Sequence, residues 1–219
     1  LSTGVRVGEV SSNSSIVWCR LTEHAKPNPE YLPIPGWTKA QQRYIPVHAY
    51  PWESPGKAGK ARVFYRAVGS EQWSSSVWKR AEAINDFCLQ FNLSNLKPGT
   101  KYQYFIETAD TTGRSKRSGK IQAFSTAPSP DQAIDVIFTA RTGQRFDRRE
   151  DSANGFYIYP AMKKIKPNFF IGMGDEIYYD AGDIIAMTRD EGRYKWHRIY
   201  SLPWMQDFFK EIPTYLIKS

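Results

Sequence analysis

Cysteine and histidine are scarce in this chain of 219 residues, with two of the first and three of the second. The cysteines, Cys19 and Cys88, allow one bridge at most, and His24, His48 and His197 are spread along the chain instead of clustered. No apolar run approaches the length that crosses a bilayer, which excludes a helical membrane span. No leader-like stretch opens the sequence: Leu1-Ser2-Thr3-Gly4 runs directly into strand-like sequence, a start that a cleaved secretory peptide or a trimmed chain would leave. Acidic residues are the minority, 22 against 30 Lys and Arg, so the formal charge is +8 and an anionic partner is favoured. The bases are scattered, which argues against nucleic acid. Their densest group, Arg145, Arg148 and Arg149 among Asp147, Glu150 and Asp151, suits a small anion better than a duplex, and reads equally as an ion-paired loop.

What is present is enough for packed cores: 41% hydrophobic and 15% aromatic residues, in a length that permits one large or two small domains. Residues 1–126 read as all-β. Val5–Val10 alternates, a serine-rich turn follows, and Ser15–Leu21 is a second strand. Residues 23–61 break the pattern with seven prolines, among which Trp37, Tyr44, Tyr50 and Trp52 are interleaved; such an insert packs on the domain or forms a binding surface. Strands are expected at Arg62–Val68 and Trp73–Trp78. Phe87, Leu89, Phe91 and Leu93 alternate, and a further strand is expected at Ile121–Phe124. Leu96-Lys97-Pro98-Gly99-Thr100-Lys101-Tyr102 resembles the tyrosine corner of fibronectin type III and related immunoglobulin-like sandwiches, which implies that the Tyr102 hydroxyl bonds nearby backbone. If Trp18 points inward, Cys19 points outward as Cys88 does; a bridge between neighbouring strands and two free thiols both stay open.

Residues 127–133 are a linker by composition, and beyond them the grammar changes. Ile134–Thr139 is a near-continuous apolar run, as in strands covered on both faces. A polar loop, 141–154, leads to a helix expected over about 155–164, with Tyr157, Met162 and Ile165 toward its buried side. A strand at Phe169–Ile171 completes a βαβ unit. Helices over about 184–200 and 205–210 and a strand at Thr214–Ile217 continue the pattern. A βαβαβ stretch is small for such a domain, so the expectation is that the polypeptide continues or that the remainder is a separate piece.

The chemistry concentrates at Phe169-Phe170-Ile171-Gly172-Met173-Gly174-Asp175-Glu176-Ile177-Tyr178-Tyr179-Asp180. The strand delivers a carboxylate to its C-terminal edge, where ligands of open α/β sheets bind. Glycine permits the sharp turn there. Glu176, Tyr178, Tyr179 and Asp180 add oxygens suited to a hard cation.

Taken together, Gly4–Val10, Ile16-Val17-Trp18, Thr142-Gly143-Gln144, Asp147–Asp151, Gly174–Asp180, Tyr194–Tyr200 and Pro213-Thr214-Tyr215 resemble the alkaline phosphatase D (PhoD-like) branch of the calcineurin-type metallophosphoesterases. The resemblance implies an all-β sandwich followed by the first part of an α/β metallophosphoesterase domain, here 134–219. It implies a secreted or periplasmic, metal-dependent phosphoester hydrolase with two or more divalent or trivalent ions, drawn from calcium, zinc, iron and manganese. By the same resemblance Asp175 bridges metals and Tyr178 ligates one; Arg145 and Arg149, from their charge and place beside the site, are candidates to act on the ester. Gln144, Arg148, Tyr179 and His197 would bind substrate. The sequence departs from the pattern at Gly143, where the family places a cysteine ligand, and lacks the acidic-then-histidine motif expected after residue 217. Two other readings remain: a sulfatase of the same fold acting on sulfated polysaccharide, and a non-catalytic binder of polyanions or glycans.

Overall fold

The computed structural model describes residues 1–30 and 45–217, so Trp37 and Tyr44 of the proline-rich insert lie outside the described residues. Among the described residues, twelve strands and three α-helices follow one another in the order β1 (Val5–Gly8), β2 (Ser15–Arg20), β3 (Gly59–Ala67), β4 (Ser74–Ser75), β5 (Lys79–Ala81), β6 (Cys88–Leu93), β7 (Lys101–Ala109), β8 (Arg117–Ser118), β9 (Gln122–Ser125), β10 (Phe138–Arg141), α1 (Ile158–Lys164), β11 (Phe169–Gly172), α2 (Arg189–Tyr200), α3 (Pro203–Phe209) and β12 (Thr214–Leu216). They form two sheets. One is built on β4-β3-β7-β8, with β5 also on β3 and β9 on β7. The other runs β10-β11-β12-β1-β2-β6, so strands from both ends of the chain share one sheet. Parallel pairing of Gly8 with Thr214 makes that join.

The two sheets face each other across a core of Val7, Val17, Cys19, Leu89, Phe91 and Leu93 from one and Ala61, Val63, Tyr104 and Ile106 from the other. Alternating burial along β2, β6 and β7 is what lets short strands bury one face. Tyr102 hydroxyl accepts the Lys97 backbone N–H at 2.8 Å. A second core lies under the helices, where Tyr159 and Met162 of α1, Ile199 of α2 and Met205, Phe208 and Phe209 of α3 close over Phe170 of β11. The described part of the insert packs: Tyr50 meets Tyr194 edge-on at 5.1 Å, and Trp52 meets Phe146 at 5.6 Å. No described helix is long and apolar enough to cross a membrane.

Several expectations are corrected. Cys19, not Trp18, faces the sandwich core, and Cys19 and Cys88 are free thiols. The parity reverses because helices cover the outer face of β1–β2, where the Arg6 guanidinium lies over the rings of Trp18 and Tyr200. A large indole is therefore sheltered on either face, and the smaller Cys19 takes the tighter one. The run at 134–137 is not strand; β10 begins at Phe138 and is an edge strand with Phe138 half exposed. In α1 only Met162 of the three expected residues is buried. Tyr157 and Ile165 are exposed, and Tyr159 takes the inward position. Helix α2 starts at Arg189, because Thr188 and Glu191 form a reciprocal capping box that sets its first turn.

Candidate site at the ends of two parallel strands

Strands β10 and β11 run parallel with Arg141 opposite Gly172. The loops beyond them stay zipped together. Met173 N–H donates to Arg141 O, Gly143 N–H to Gly174 O, and Gln144 N–H to Asp175 O, at 2.8, 3.3 and 3.1 Å. Gly174 and Asp175 both adopt positive φ, 92° and 52°, which turns the chain abruptly at the strand end. Glycine takes that conformation freely and aspartate tolerates it better than most residues. The turn leaves the Asp175 side chain exposed, where the Tyr178 hydroxyl donates to its Oδ2 at 3.1 Å. That hydrogen bond holds the Tyr178 phenol above its ordinary pKa, with Arg145 and Arg141 pulling the other way. Gly143, at φ 63°, brings its backbone close beneath the same hydroxyl; a Cβ there would sit 3.2 Å from it.

Beneath this pair lies a buried ion pair, Arg141 with Glu176. Glu176 is therefore no metal-facing oxygen, contrary to the expectation drawn from its neighbours. Burial pushes its carboxyl up and Arg141 opposes that shift. The strand's alternation runs on past its end: Gly172, Gly174 and Glu176 are buried while Met173 and Asp175 are exposed.

The other expected residues disperse. Gln144 is buried, its Oε1 accepting from the Tyr159 hydroxyl at 2.8 Å, so only its backbone meets the Asp175 loop. Arg145 is half buried and forks onto Asp147 through Nε and Nη2 at 3.2 and 2.8 Å. Arg148 projects outward, 76% exposed, with Asp147 at 3.9 Å. Arg149 is fully engaged by Ser152 O, Phe146 O and Glu30. The ion-paired reading of this loop describes Arg145, on Asp147, whereas Arg149 pairs with Glu30 of the insert. The Tyr179 hydroxyl accepts from the Trp196 indole at 2.7 Å, which ties it to α2. His197 is held away in a cavity between the sandwich, the insert and α2, bonded to Glu53 and Asp86.

Sequence reasoning missed Lys195. It is 2% exposed, and its Nζ bonds the carbonyls of Tyr178 and Ala181 at 2.5 and 2.7 Å. This clamps the loop that carries Tyr178 onto α2. Burial lowers the Lys195 pKa, yet two carbonyl acceptors suit the charged form. A lysine on a helix written as charged and solvated carries no sequence signal for such a role.

No protein-family model matches the chain, and no curated protein does. Its structure is similar to that of PhoD, with a TM-score of 0.70 over 100% of this chain and 38% of that one, at 15% identity. It is also similar to the purple acid phosphatase PPD1 of yellow lupin, with a TM-score of 0.57 over 98% of this chain and 34% of that one, at 10% identity. At such identities the likeness is one of fold. The chain spans well under half the length of either.

A metal centre needs more than the described residues gather. Asp175 and Tyr178 offer two hard oxygens, and no set of three or more His, Cys, Asp and Glu side chains able to hold a metal is assembled among the described residues. Gly143 contributes no donor. The residues present therefore do not, by themselves, fit a two-metal centre.

Proposed function

We propose that this chain belongs to a metal-dependent phosphoester hydrolase and carries one wall of its site, with Asp175 and Tyr178 supplying part of a donor set that other residues complete. The observation that supports this most is the placement of an exposed Asp175–Tyr178 pair at the C-terminal ends of two parallel strands, in a fold similar to two phosphatases along the whole chain. Within this reading the chain's own residues do three things. Gly174 and Asp175 turn the carboxylate outward. The Arg141–Glu176 pair and Lys195 hold the loop from below and behind. Arg145 and Arg148 provide positive charge beside it, and Arg145 trades Asp147 for an anionic ester oxygen when substrate arrives. We place the protein outside the cytoplasm and the sandwich in a scaffolding role.

The test is metal analysis of the intact protein by ICP-MS beside hydrolysis of aryl phosphate and aryl sulfate. Retained metal with turnover of the phosphate is expected, and Asp175→Asn should lose both while its circular dichroism is unchanged. Turnover of the sulfate alone would replace the ester named here. Neither metal nor turnover would overturn the hydrolase and leave a binding role.

A further inference from the structure

His197 is buried between two carboxylates: its Nδ1 lies 2.7 Å from Glu53 Oε1 and its Nε2 2.6 Å from Asp86 Oδ2. Carboxylate oxygens accept and do not donate, so both ring nitrogens must carry protons for both bonds to exist. The ring is then an imidazolium. Arg20 completes the group, with Nη2 on Asp86 Oδ1 at 2.9 Å and Nη1 bonded to Ser54 O. Two cations and two anions balance. On its own helix Asp190 and Arg193 flank the same cavity, and Glu23, His24 and His48 line it from the insert side.

The four members come from four places. Arg20 ends β2, Asp86 sits in the turn before β6, Glu53 lies in the insert, and His197 is on α2. The histidine thus ties α2 to both the sandwich and the insert, beside the Tyr194 hydroxyl on Pro51 O at 2.9 Å and Arg193 on Ile84 O at 3.1 Å. Two residues earlier on the same helix, Lys195 grips the Tyr178 loop.

We propose that His197 is a proton-dependent latch: its imidazolium helps to pin α2 to the β-sandwich, and loss of the proton weakens that tie and, through Lys195, loosens the Asp175–Tyr178 loop. The loop's importance for chemistry rests on the function proposed above; the latch itself does not. Burial lowers the His197 pKa, but the hydrogen bonds its ring donates to Asp86 and Glu53 outweigh that and raise it above its usual 6.5. A raised histidine pKa contributes stability that is fully present below 6.5 and is lost as pH rises through the higher folded value. The latch is closed in mildly acidic solution and opens on the alkaline side.

The test needs no metal and no substrate, so its failure is separable from failure of the hydrolase reading. Imidazole ¹H–¹⁵N spectra of the intact chain should show His197 protonated at both nitrogens at pH 6, with a midpoint above 6.5. Hydrogen exchange at Ile177–Ala181 amides, corrected for base catalysis, should accelerate through that midpoint. Glu53→Gln, which keeps shape and removes one charge, should lower the midpoint and shift the exchange transition with it. His197→Gln should abolish the transition if it folds. A neutral His197 at pH 6 would overturn the imidazolium. A loop whose exchange ignores the titration, in the native chain or in Glu53→Gln, would overturn the coupling.

Discussion

Gly143 illustrates how a single position shapes the candidate site. Its φ of 63° disfavours any residue but glycine, and a Cβ there would meet the Tyr178 hydroxyl at 3.2 Å. Gly143→Ala is expected to cost about 1–2 kcal/mol from the left-handed backbone, read as a lower urea midpoint. Gly143→Asn, which tolerates that conformation better, should cost less unless the hydroxyl contact dominates. Glu176 tests a different cost. Glu176→Gln leaves Arg141 as a buried charge without its partner, and removal of one member of such a pair destabilises by about 3–5 kcal/mol. A loss well below that would mean that water reaches the Arg141 guanidinium. The two thiols are inert for a related reason: burial pushes Cys19 up to about 12 and Cys88 up to about 11. Neither should react with a disulfide reagent at pH 8 until the chain unfolds. Rapid labelling of Cys19 in the native chain would contradict its place in the core.

Helix α2 shows where element boundaries were readable and where they were not. Its end at Tyr200 follows from the sequence before Pro203. Its start does not lie at Ile184, because Thr188-Arg189-Asp190-Glu191 is a capping box, a local signal that apolar periodicity overlooks. Thr188→Ala should cost about 1 kcal/mol, seen as a lowered melting temperature. Restoring full stability with Thr188→Ser and not with Thr188→Val would separate the cap from packing. The tyrosine corner and the alternation of Leu89, Phe91 and Leu93 were legible because both are local. Asp175 and Tyr178 were legible as a pair for the same reason: they lie three residues apart on one turn. Trp18 and Cys19 were misread because strand parity does not say which face is enclosed, and here helices from the far end of the chain cover the outer one. The partners of His197 come from distant segments and those of Lys195 lie 14 and 17 residues back, and no short pattern reveals either.

Across the whole molecule the join between β1 and β12 matters most. It carries one sheet past the boundary that composition places at 127–133, so the sandwich and the βαβ region share backbone pairing as well as side-chain contacts. At the far end of that sheet β10 has no partner on its outer edge among the described residues, and Phe138, half exposed, stacks on Phe169 at 5.4 Å. An open edge beside apolar rings invites association. Phe138→Lys is expected to reduce concentration-dependent self-association in sedimentation velocity without changing the circular dichroism spectrum; unchanged association would place the adhesive surface elsewhere. The same sheet order also bears on how the chain folds. β1 finds β2 within a few residues, but its other edge waits for β12, with Gly8 pairing to Thr214. Closing so long a span is slow, because the entropy of the intervening chain is lost before the contact forms. β1 is therefore half-paired until β12 arrives, and among the described strands the return of β12 to β1 is the long-range contact expected to form late.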